Sequence, residues 1–376
     1  MPSASRNVEV APVRRCDVLV AGAGPAGAIA ARQLAMSGSS VIVADSLAPS
    51  APKVGETLPG AAIRLLKRLG LGEVIEPGAG SHASPHWPVG GLLVAWNGAT
   101  LVASDALDDP YGQGLRLHRP SFDAALRQAA EAVEVRFWRA DVRRLERHAD
   151  GWSVWLDDGV VLSARWLIDA TGRRARLSRL IGARRRRSAP LVAIYRTGWP
   201  ERNRDVTRTV IAAGPDGWVY AGRLGDGHWA FGYHTSSEQA ARMLGSPADW
   251  NDAVTECPGF AKLFGELVFA QEPALRDARG ARLDPPIGEG WVACGDAALS
   301  FDPIAGQGLF NALYTGMTAA EAVRTMRDGA LPSGYAAELD KVAAICDARR
   351  REHYWRERRW SERPFWRMRH EEGIIS

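Results

Sequence analysis

Residues 16–45 read CDVLVAGAGPAGAIAARQLAMSGSSVIVAD, and the rest of the chain can be organised around this stretch. The apolar run 18–21 predicts a short buried strand, and the alanine-rich run 26–36 predicts a helix that stops at a glycine. A second apolar run, 41–44, predicts another strand, which ends at Asp45. Strand, glycine turn, helix and strand in this order predict a parallel βαβ unit.

The glycines between the first strand and the helix have the spacing of a dinucleotide site. Gly22, Gly24 and Gly27 follow the pattern GxGxxG. The first glycine allows a sharp turn, the second lets the backbone approach a pyrophosphate, and the third lets the helix pack closely on the sheet. The helix N-terminus offers free N–H groups to the phosphates, and Asp45 can accept a hydrogen bond from a ribose hydroxyl. The stretch therefore predicts dinucleotide binding.

The bulk composition is that of a soluble globular protein. The chain has 376 residues, enough for two domains, with 46% hydrophobic and 24% charged residues. No apolar run approaches the ~20 residues of a transmembrane helix. Residues 1–12 lack the apolar core of a secretory signal. We expect a cytoplasmic protein with no membrane partner.

The cysteines and the charge pattern exclude some further classes. The four cysteines are scattered without metal-ligand spacing, so we expect thiols, and we predict no metal site. Residues 173–187 hold eight arginines and no acid, and residues 347–372 hold nine arginines, six acids and three tryptophans. Both runs predict a solvated surface, and the second suits docking of a protein partner. No nucleic-acid module accompanies them, so nucleic-acid binding is not expected.

A second glycine-rich stretch, residues 291–308, reads WVACGDAALSFDPIAGQG. It predicts a strand that ends at Gly295 and Asp296, followed by a glycine turn that opens a long helix, 308–327. A strand-rich block, 189–236, lies between the two glycine stretches. The cofactor segments are therefore predicted to be split around an inserted β domain, an arrangement that favours a flavin over a nicotinamide nucleotide.

Three segments together resemble the FAD-dependent monooxygenase and halogenase superfamily. The stretch 291–308 resembles its second FAD fingerprint, in which the aspartate, here Asp296, binds the ribityl chain and the glycine turn faces the flavin ring. The segment Asp169-Ala-Thr171-Gly172 resembles the strand end behind the nucleotide. His118-Arg119-Pro120, ahead of a predicted helix, resembles the segment with an arginine near the ribityl chain.

This resemblance implies an α/β fold with a Rossmann-like FAD-binding domain of the p-hydroxybenzoate hydroxylase (GR2) type. An antiparallel β-sheet substrate domain is inserted in it, and a helical segment follows at the C-terminus. The implied boundaries are 1–80, 112–185 and 280–330 for the FAD-binding domain, 81–111 and 186–279 for the substrate domain, and 331–376 for the C-terminal region, which we predict to be helical at least to Trp360. The residues expected to contact FAD are Gly22, Gly24, Pro25, Ala26, Gly27, Asp45, Ser46, Lys53, Glu56, Arg119, Val142, Thr171, Gly172, Asp296, Pro303, Gly306, Gln307 and Gly308.

Finer placement rests on shorter segments. Residues 53–59, KVGETLP, resemble the Gly-Glu-Ser/Thr segment of flavin-dependent halogenases and their relatives. Tryptophan halogenases carry Trp-x-Trp-x-Ile-Pro where this chain has Trp218-Val-Tyr220-Ala-Gly-Arg223, so the sequence disfavours halogenation. Residues 357–360 and 364–366 resemble the flavoproteins that mature tryptophylquinone enzymes.

The resemblance implies a monooxygenase that hydroxylates an indole ring, a peptidyl tryptophan of a quinoprotein precursor subunit that docks through the arginine- and tryptophan-rich C-terminal region. FAD would be the cofactor and O2 the cosubstrate, with electrons from NAD(P)H or a separate reductase. The alternatives are a small-molecule aromatic hydroxylase, a halogenase-like enzyme, a geranylgeranyl-reductase-like FAD reductase, or a flavin-binding assembly factor without turnover.

The sequence leaves the catalytic base open. Glu56 is expected beside the flavin, where it can take a proton or hold a loop. Tyr220 and His234 lie in the β-rich block and are candidates of the same kind, although packing roles are commoner for buried tyrosine and histidine.

Overall fold

The protein is described here from a computed structural model, which covers residues 14–47, 55–76, 85–202, 205–270, 272–330 and 332–372. Its strands, in chain order, are β1 (Arg14–Ala21), β2 (Val41–Asp45), β3 (Thr57–Leu58), β4 (Trp87–Pro88), β5 (Gly91–Ala95), β6 (Val102–Asp105), β7 (Leu115–Arg116), β8 (Arg136–Arg139), β9 (Val142–His148), β10 (Gly151–Leu156), β11 (Val161–Asp169), β12 (Arg184–Arg187), β13 (Val192–Pro200), β14 (Thr209–Gly214), β15 (Gly217–Arg223), β16 (Trp229–Thr235), β17 (Leu267–Phe269), β18 (Ala274–Asp277), β19 (Ala281–Asp284), β20 (Ile287–Gly288), β21 (Trp291–Ala293) and β22 (Leu299–Ser300).

The helices are α1 (Pro25–Met36), α2 (Gly60–Arg68), α3 (Arg119–Glu131), α4 (Arg176–Ile181), α5 (Ser237–Gly245), α6 (Pro247–Thr255), α7 (Phe260–Phe264), α8 (Gly308–Arg327), α9 (Ser333–Arg356) and α10 (Pro364–Glu371). None of the helices within the described ranges is both long enough and apolar enough to cross a membrane.

The first sheet has the parallel arrangement that the opening βαβ unit predicts. Its strand order is β20-β21-β11-β1-β2-β8, and β1 runs parallel to both β2 and β11. The central strands are buried on both faces, with Leu19, Val43 and Ile168 fully enclosed, because helices cover the sheet. The Rossmann-like FAD-domain prediction is confirmed by this order. The strands β9 and β10 extend the sheet with antiparallel pairing.

The second sheet carries the inserted unit. Its order is β17-β13-β16-β15-β14-β5-β6, with β18 also paired to β13. Neighbours are antiparallel except β14 and β5, which run parallel because the chain leaves for the first sheet between them. Helices α5, α6 and α7 close one face over an aromatic core that includes Trp229, Phe231 and Trp250.

The C-terminal segment is helical, as predicted, but it is broken earlier than expected. Helix α9 ends at Arg356, and α10 begins at Pro364. The break coincides with Glu357, whose buried carboxylate accepts a hydrogen bond from the backbone N–H of Asn97 on a distant hairpin (2.7 Å). This tertiary contact pulls the chain out of the helix. Trp366 then packs against the second sheet, so the segment joins its core.

Candidate functional site

The first glycine turn has no room for side chains at two of its glycines. Gly22 has a φ of +106°, and a Cβ atom there would lie 2.6 Å from the carbonyl carbon of Ala170. A Cβ on Gly27 would overlap the carbonyl oxygen of Gly22 and lie 3.1 Å from the Cβ of Ala170. These contacts confirm the reasons for glycine given by the motif: a sharp turn off β1, and close packing of α1 on the sheet.

Gly24 is different, because a Cβ atom there would meet nothing within 4 Å. Helix α1 begins immediately after it, with no side-chain cap on its N-terminal N–H groups. An open approach to uncapped N–H groups at a helix N-terminus suits a phosphate. Asp45 lies at the same turn, where its Oδ2 accepts a hydrogen bond from the N–H of Ala23 (2.7 Å).

The second glycine stretch is packed directly against the first. A Cβ on Gly295 would lie 2.8 Å from the Cβ of Ala26, at the start of α1. Further along α8, a Cβ on Gly316 would lie 3.1 Å from the Cα of Ala26. Gly316 is eight residues, ~12 Å, from the start of α8 at Gly308. The two turns, at Gly22 and Gly306, are 284 residues apart in sequence and face one continuous site.

The turn at the start of α8 forms an open cradle. Gly306 has a φ of +62°, and a Cβ on Gly306, Gly308 or Gly172 would meet nothing within 4 Å. Gln307 occupies the N-cap position of α8 without making a side-chain cap. Pro303 begins the short 3-10 turn that precedes it. The free N–H groups of this 20-residue helix can face an anionic ring edge or a phosphate oxygen.

The neighbouring polar residues shape the site in distinct ways. The Asp296 carboxylate is paired with Arg173 (Nε to Oδ2, 3.5 Å), and both side chains are about one-third exposed. Thr171 donates from its hydroxyl to Asp169 (2.6 Å) and accepts from the N–H of Arg176 (2.7 Å). Thr171 therefore holds the turn after β11, whereas Asp296 stays accessible.

The remaining predicted cofactor residues are positioned as follows. Arg119 begins α3 and donates from Nη1 to the carbonyl of Gly55 (3.1 Å), which fixes the segment before Glu56. Val142 is buried, and its carbonyl accepts a hydrogen bond from the Arg176 side chain. Ser46 is exposed at the end of β2. Lys53 lies outside the described residues.

Glu56 is a buried carboxylate with spare hydrogen-bonding capacity. It is only 8% exposed, and its Oε2 has no hydrogen-bond partner among the described residues. Burial raises the pKa of Glu56, and the positive charges of Arg116 and Arg119 offset the rise only in part. A carboxylate with a raised pKa and a free oxygen can accept a proton from a substrate.

Arg116, which was not predicted as a site residue, links Thr57, the neighbour of Glu56, to the second sheet. Its side chain is buried and donates to the hydroxyls of Thr57 and Thr209 (2.7 Å each) and of Tyr220. Gly222 leaves the space for it, since a Cβ there would lie 2.6 Å from the guanidinium. An arginine between two leucines gives no signal for this role, because all its partners are distant in sequence.

The three predicted catalytic residues meet in one cluster. Tyr195 hydrogen-bonds to His234 (OH to Nε2, 3.2 Å). Burial raises the pKa of Tyr195, and the negative charge of Glu56 raises it further. Burial also raises the pKa of Tyr220, although Arg116 counteracts it. Arg116 is thus hydrogen-bonded to Tyr220, and Tyr195 to His234, while Glu56 lies close enough to Arg116 and Tyr195 for its charge to interact with theirs.

His234 is the weakest base of this cluster. Its ring stacks on Trp218 (centroids 3.7 Å apart, planes 5° apart) and is fully buried. Burial lowers the pKa of His234 to about 3, so the imidazole is neutral at physiological pH. A group with so low a pKa holds a proton poorly, and the contact of His234 with the Tyr195 hydroxyl is a hydrogen bond to its Nε2.

The geometry fits an FAD molecule laid across both turns. Two uncapped helix N-termini, open space beside Gly24 and Gly308, and the exposed Asp296 match the phosphates, the ring and the ribityl chain. The family model of the FAD binding domain matches residues 15–225, more than half of the chain. The chain belongs to the FAD-binding domain family. It is an FAD-dependent oxidoreductase.

Related proteins span most of this flavoprotein. It is 28% identical to menaquinone reductase of Mycobacterium tuberculosis over 331 residues, 81% of this chain and 76% of that protein. It is 24% identical to the FAD-dependent oxidoreductase LodB of Marinomonas mediterranea over 363 residues, 94% of this chain and 96% of that protein.

Solved structures show the same fold. That of QhpG, a peptidyl tryptophan dihydroxylase essential for tryptophylquinone cofactor biogenesis, matches with a TM-score of 0.71 and 24% identity, over 94% of this chain and 78% of QhpG. Flavin-dependent halogenases and brominases share the fold as well. The fold alone therefore does not select among these chemistries.

Proposed function

We propose that this flavoprotein is a monooxygenase that hydroxylates the indole ring of a tryptophan residue in the precursor of a tryptophylquinone enzyme. The observation that carries the proposal is the buried cluster around Glu56. Tyr195 and Tyr220 of this cluster pack against the same group of buried side chains as Ile304. Ile304 lies in the 3-10 turn that leads to Gly306, so the cluster adjoins the flavin end of the site.

The residues of the cluster suit aromatic hydroxylation. When bound and reduced, FAD supplies the activation of O2 that the reaction needs. Hydroxylation of a ring carbon requires that its proton be removed, and the unpartnered Oε2 of Glu56 would accept it. Arg116 holds Tyr220 and Glu56 in position through its buried hydrogen bonds and charge. The burial of Glu56 and Arg116 would keep water from the reacting ring.

The likeness to QhpG and LodB supports a protein substrate, and the C-terminal helices offer a surface for it. A cleft of about 180 Å3 lies between α9 and α10 and is lined by Arg351, Glu352, Trp355, Arg369 and His370. Trp355 is 50% exposed, and the guanidinium of Arg358 lies 3.4 Å from the centroid of its ring. Exposed tryptophan and arginine side chains are typical of protein interfaces. We propose that the quinoprotein precursor docks here.

The electron source belongs to the same proposal. A nicotinamide nucleotide that binds transiently, or a separate reductase, would reduce the flavin, and O2 would be the cosubstrate. We propose that the reaction takes place in the cytoplasm.

The test uses the purified holoprotein with a reductant, O2 and an unmodified quinoprotein precursor. The expected result is an increase of the precursor mass in units of one oxygen atom, located on a tryptophan by fragmentation. The matched control replaces that tryptophan by phenylalanine in the precursor. Flavin turnover without any oxygen added to the precursor would overturn the proposal.

A reductase that acts on a small apolar substrate is the second candidate. The match to menaquinone reductase over 81% of this chain favours it. Such an enzyme would consume reductant under anaerobic conditions when given a menaquinone analogue or a geranylgeranyl lipid. A hydroxylase would leave both unchanged without O2, so one anaerobic assay separates the two functions.

A further inference from the structure

Helix α9 of the C-terminal segment reaches the second glycine turn through the side chain of Tyr354. The hydroxyl of Tyr354 donates to Oδ2 of Asp302 (2.9 Å). The other carboxylate oxygen of Asp302 accepts from the N–H of Ile304 (3.0 Å) in the 3-10 turn that leads to Gly306. One buried carboxylate thus joins α9 to the backbone that forms the flavin end of the site.

Tyr354 is itself held from several sides. Its ring is fully buried, and its hydroxyl accepts a hydrogen bond from Nε1 of Trp218 (3.1 Å). Its backbone carbonyl is hydrogen-bonded to Nε2 of His370 on α10 (3.0 Å). Phe365 and Trp366 pack against the edge or the face of its ring. The hydroxyl therefore has one position, and it fixes the Asp302 side chain in turn.

The carboxylate of Asp302 depends on this contact. Burial raises its pKa, and the positive charges of Arg369 and Arg350 on the C-terminal helices lower it in part. Its hydrogen bonds come from Ile304 and Tyr354. Without the tyrosine hydroxyl, Oδ2 would be left buried and unpaired, and the carboxylate would turn toward the arginines. The turn would then lose one of the constraints on its geometry.

We propose that Tyr354 is a positioning residue for FAD. It acts through Asp302 to hold the second glycine turn and the start of α8 in the geometry that receives the flavin. The C-terminal segment, which lies outside the stretch matched by the family model, is thereby part of the cofactor site. Tyr354 acts on the backbone of the turn, and no direct contact with FAD is required.

The test is FAD affinity, measured by flavin fluorescence when FAD is titrated into FAD-free protein. Loss of one hydrogen bond to a buried carboxylate predicts that Tyr354→Phe weakens FAD binding about tenfold. The matched control is Tyr314→Phe, which removes the hydroxyl that links α8 to Glu338 of α9 (2.9 Å) away from the turn. This control should bind FAD as the wild type does. Equal affinities for the wild type and Tyr354→Phe would overturn the proposal.

A double-mutant cycle with Asp302→Ala separates action through Asp302 from a general packing role. If Tyr354 works through the carboxylate, Tyr354→Phe should weaken FAD binding less than twofold in the Asp302→Ala background. Additive losses would refute this route. If Asp302→Ala does not fold, the comparison of Tyr354→Phe with Tyr314→Phe decides, and equal losses in these two variants refute the proposal.

Discussion

Replacing Gly24 with alanine separates cofactor binding from folding. The residue has a φ of −74° and a ψ of −179°, which any L-residue can adopt, and a Cβ there meets no protein atom within 4 Å. The added methyl group would occupy the open space over the uncapped start of α1, where we place the pyrophosphate. Gly24→Ala should therefore affect the bound state alone.

The magnitudes follow from the geometry. Reduced freedom of the unfolded chain stabilises a compatible glycine-to-alanine change by about 0.4–1 kcal/mol. Alanine at an N-cap position costs about as much, so the stability of FAD-free Gly24→Ala should stay within about 1 kcal/mol of wild type. Steric overlap with the phosphates costs about 1–3 kcal/mol, equivalent to a 5- to 150-fold loss of FAD affinity.

Gly22→Ala is the contrasting variant. The residue has a φ of +106°, and its new Cβ would press on the backbone at Ala170. Backbone strain and overlap together should lower the free energy of unfolding by about 2–5 kcal/mol. Urea unfolding of the FAD-free proteins and fluorescence titration with FAD measure both effects. Wild-type FAD affinity in Gly24→Ala would refute the assignment of the phosphate position, and so would a large loss of its stability without FAD.

Three further predictions concern the cluster and the C-terminal segment. Burial raises the folded-state pKa of Glu56, so ionisation of this carboxyl destabilises the fold above that pKa and has no effect on stability below the unfolded value of about 4.3. In urea unfolding, Glu56→Gln should therefore be more stable than the wild type at pH 8 and equally stable at pH 3. The rate of hydroxylation by Glu56→Gln should fall about 100-fold or more. A pH-independent difference would contradict this. Arg116→Lys keeps the positive charge but loses the guanidinium group that donates to three hydroxyls, and it should lower the free energy of unfolding by about 2–4 kcal/mol. A loss of stability below about 1 kcal/mol would contradict this role of the guanidinium group. Trp366→Phe removes the N–H that donates to the carbonyl of Gly214 (3.0 Å) and should lower the free energy of unfolding by about 1–3 kcal/mol. Trp355→Phe, at a half-exposed site, should lower the free energy of unfolding by less than about 0.5 kcal/mol but weaken precursor binding. Equal losses of stability in the two variants would contradict the packing described here.

The glycine turns could be predicted because their causes are local. Gly22 must be glycine for its φ of +106° and Gly27 for its contact with the Gly22 carbonyl, and the spacing of the motif encodes these local causes. The contact of Gly22 with the strand end at Ala170 is distant in sequence, and the spacing does not encode it. The start of α8 after Gly306 could also be predicted, because the glycine turn and the helix follow each other directly in the sequence. A strand, a turn and a helix in sequence order predict a dinucleotide-binding βαβ unit, and the resemblance to the FAD-dependent monooxygenase and halogenase superfamily extended that prediction to the FAD-binding fold.

The polar cluster could not be predicted, because its partners are brought together only by the packing of the two sheets. Arg116 meets a residue 59 positions before it and others 93 and 104 positions after it. The early end of α9 depends on Asn97, which is 260 residues away from Glu357. Local helix propensity predicts that α9 continues, and a tertiary hydrogen bond overrides it. The candidates Glu56, Tyr220 and His234 were visible singly, but their connection was not.

The crossing of α1 and α8 at Ala26 and Gly316 sets how far apart the two cofactor turns lie, although this crossing belongs to neither turn. A methyl group on Gly316 would push the helices apart and lengthen that interval. Such a change would weaken the binding of whole FAD, which contacts both turns. A fragment such as AMP or riboflavin, which needs only one end of the cleft, would bind with unchanged affinity.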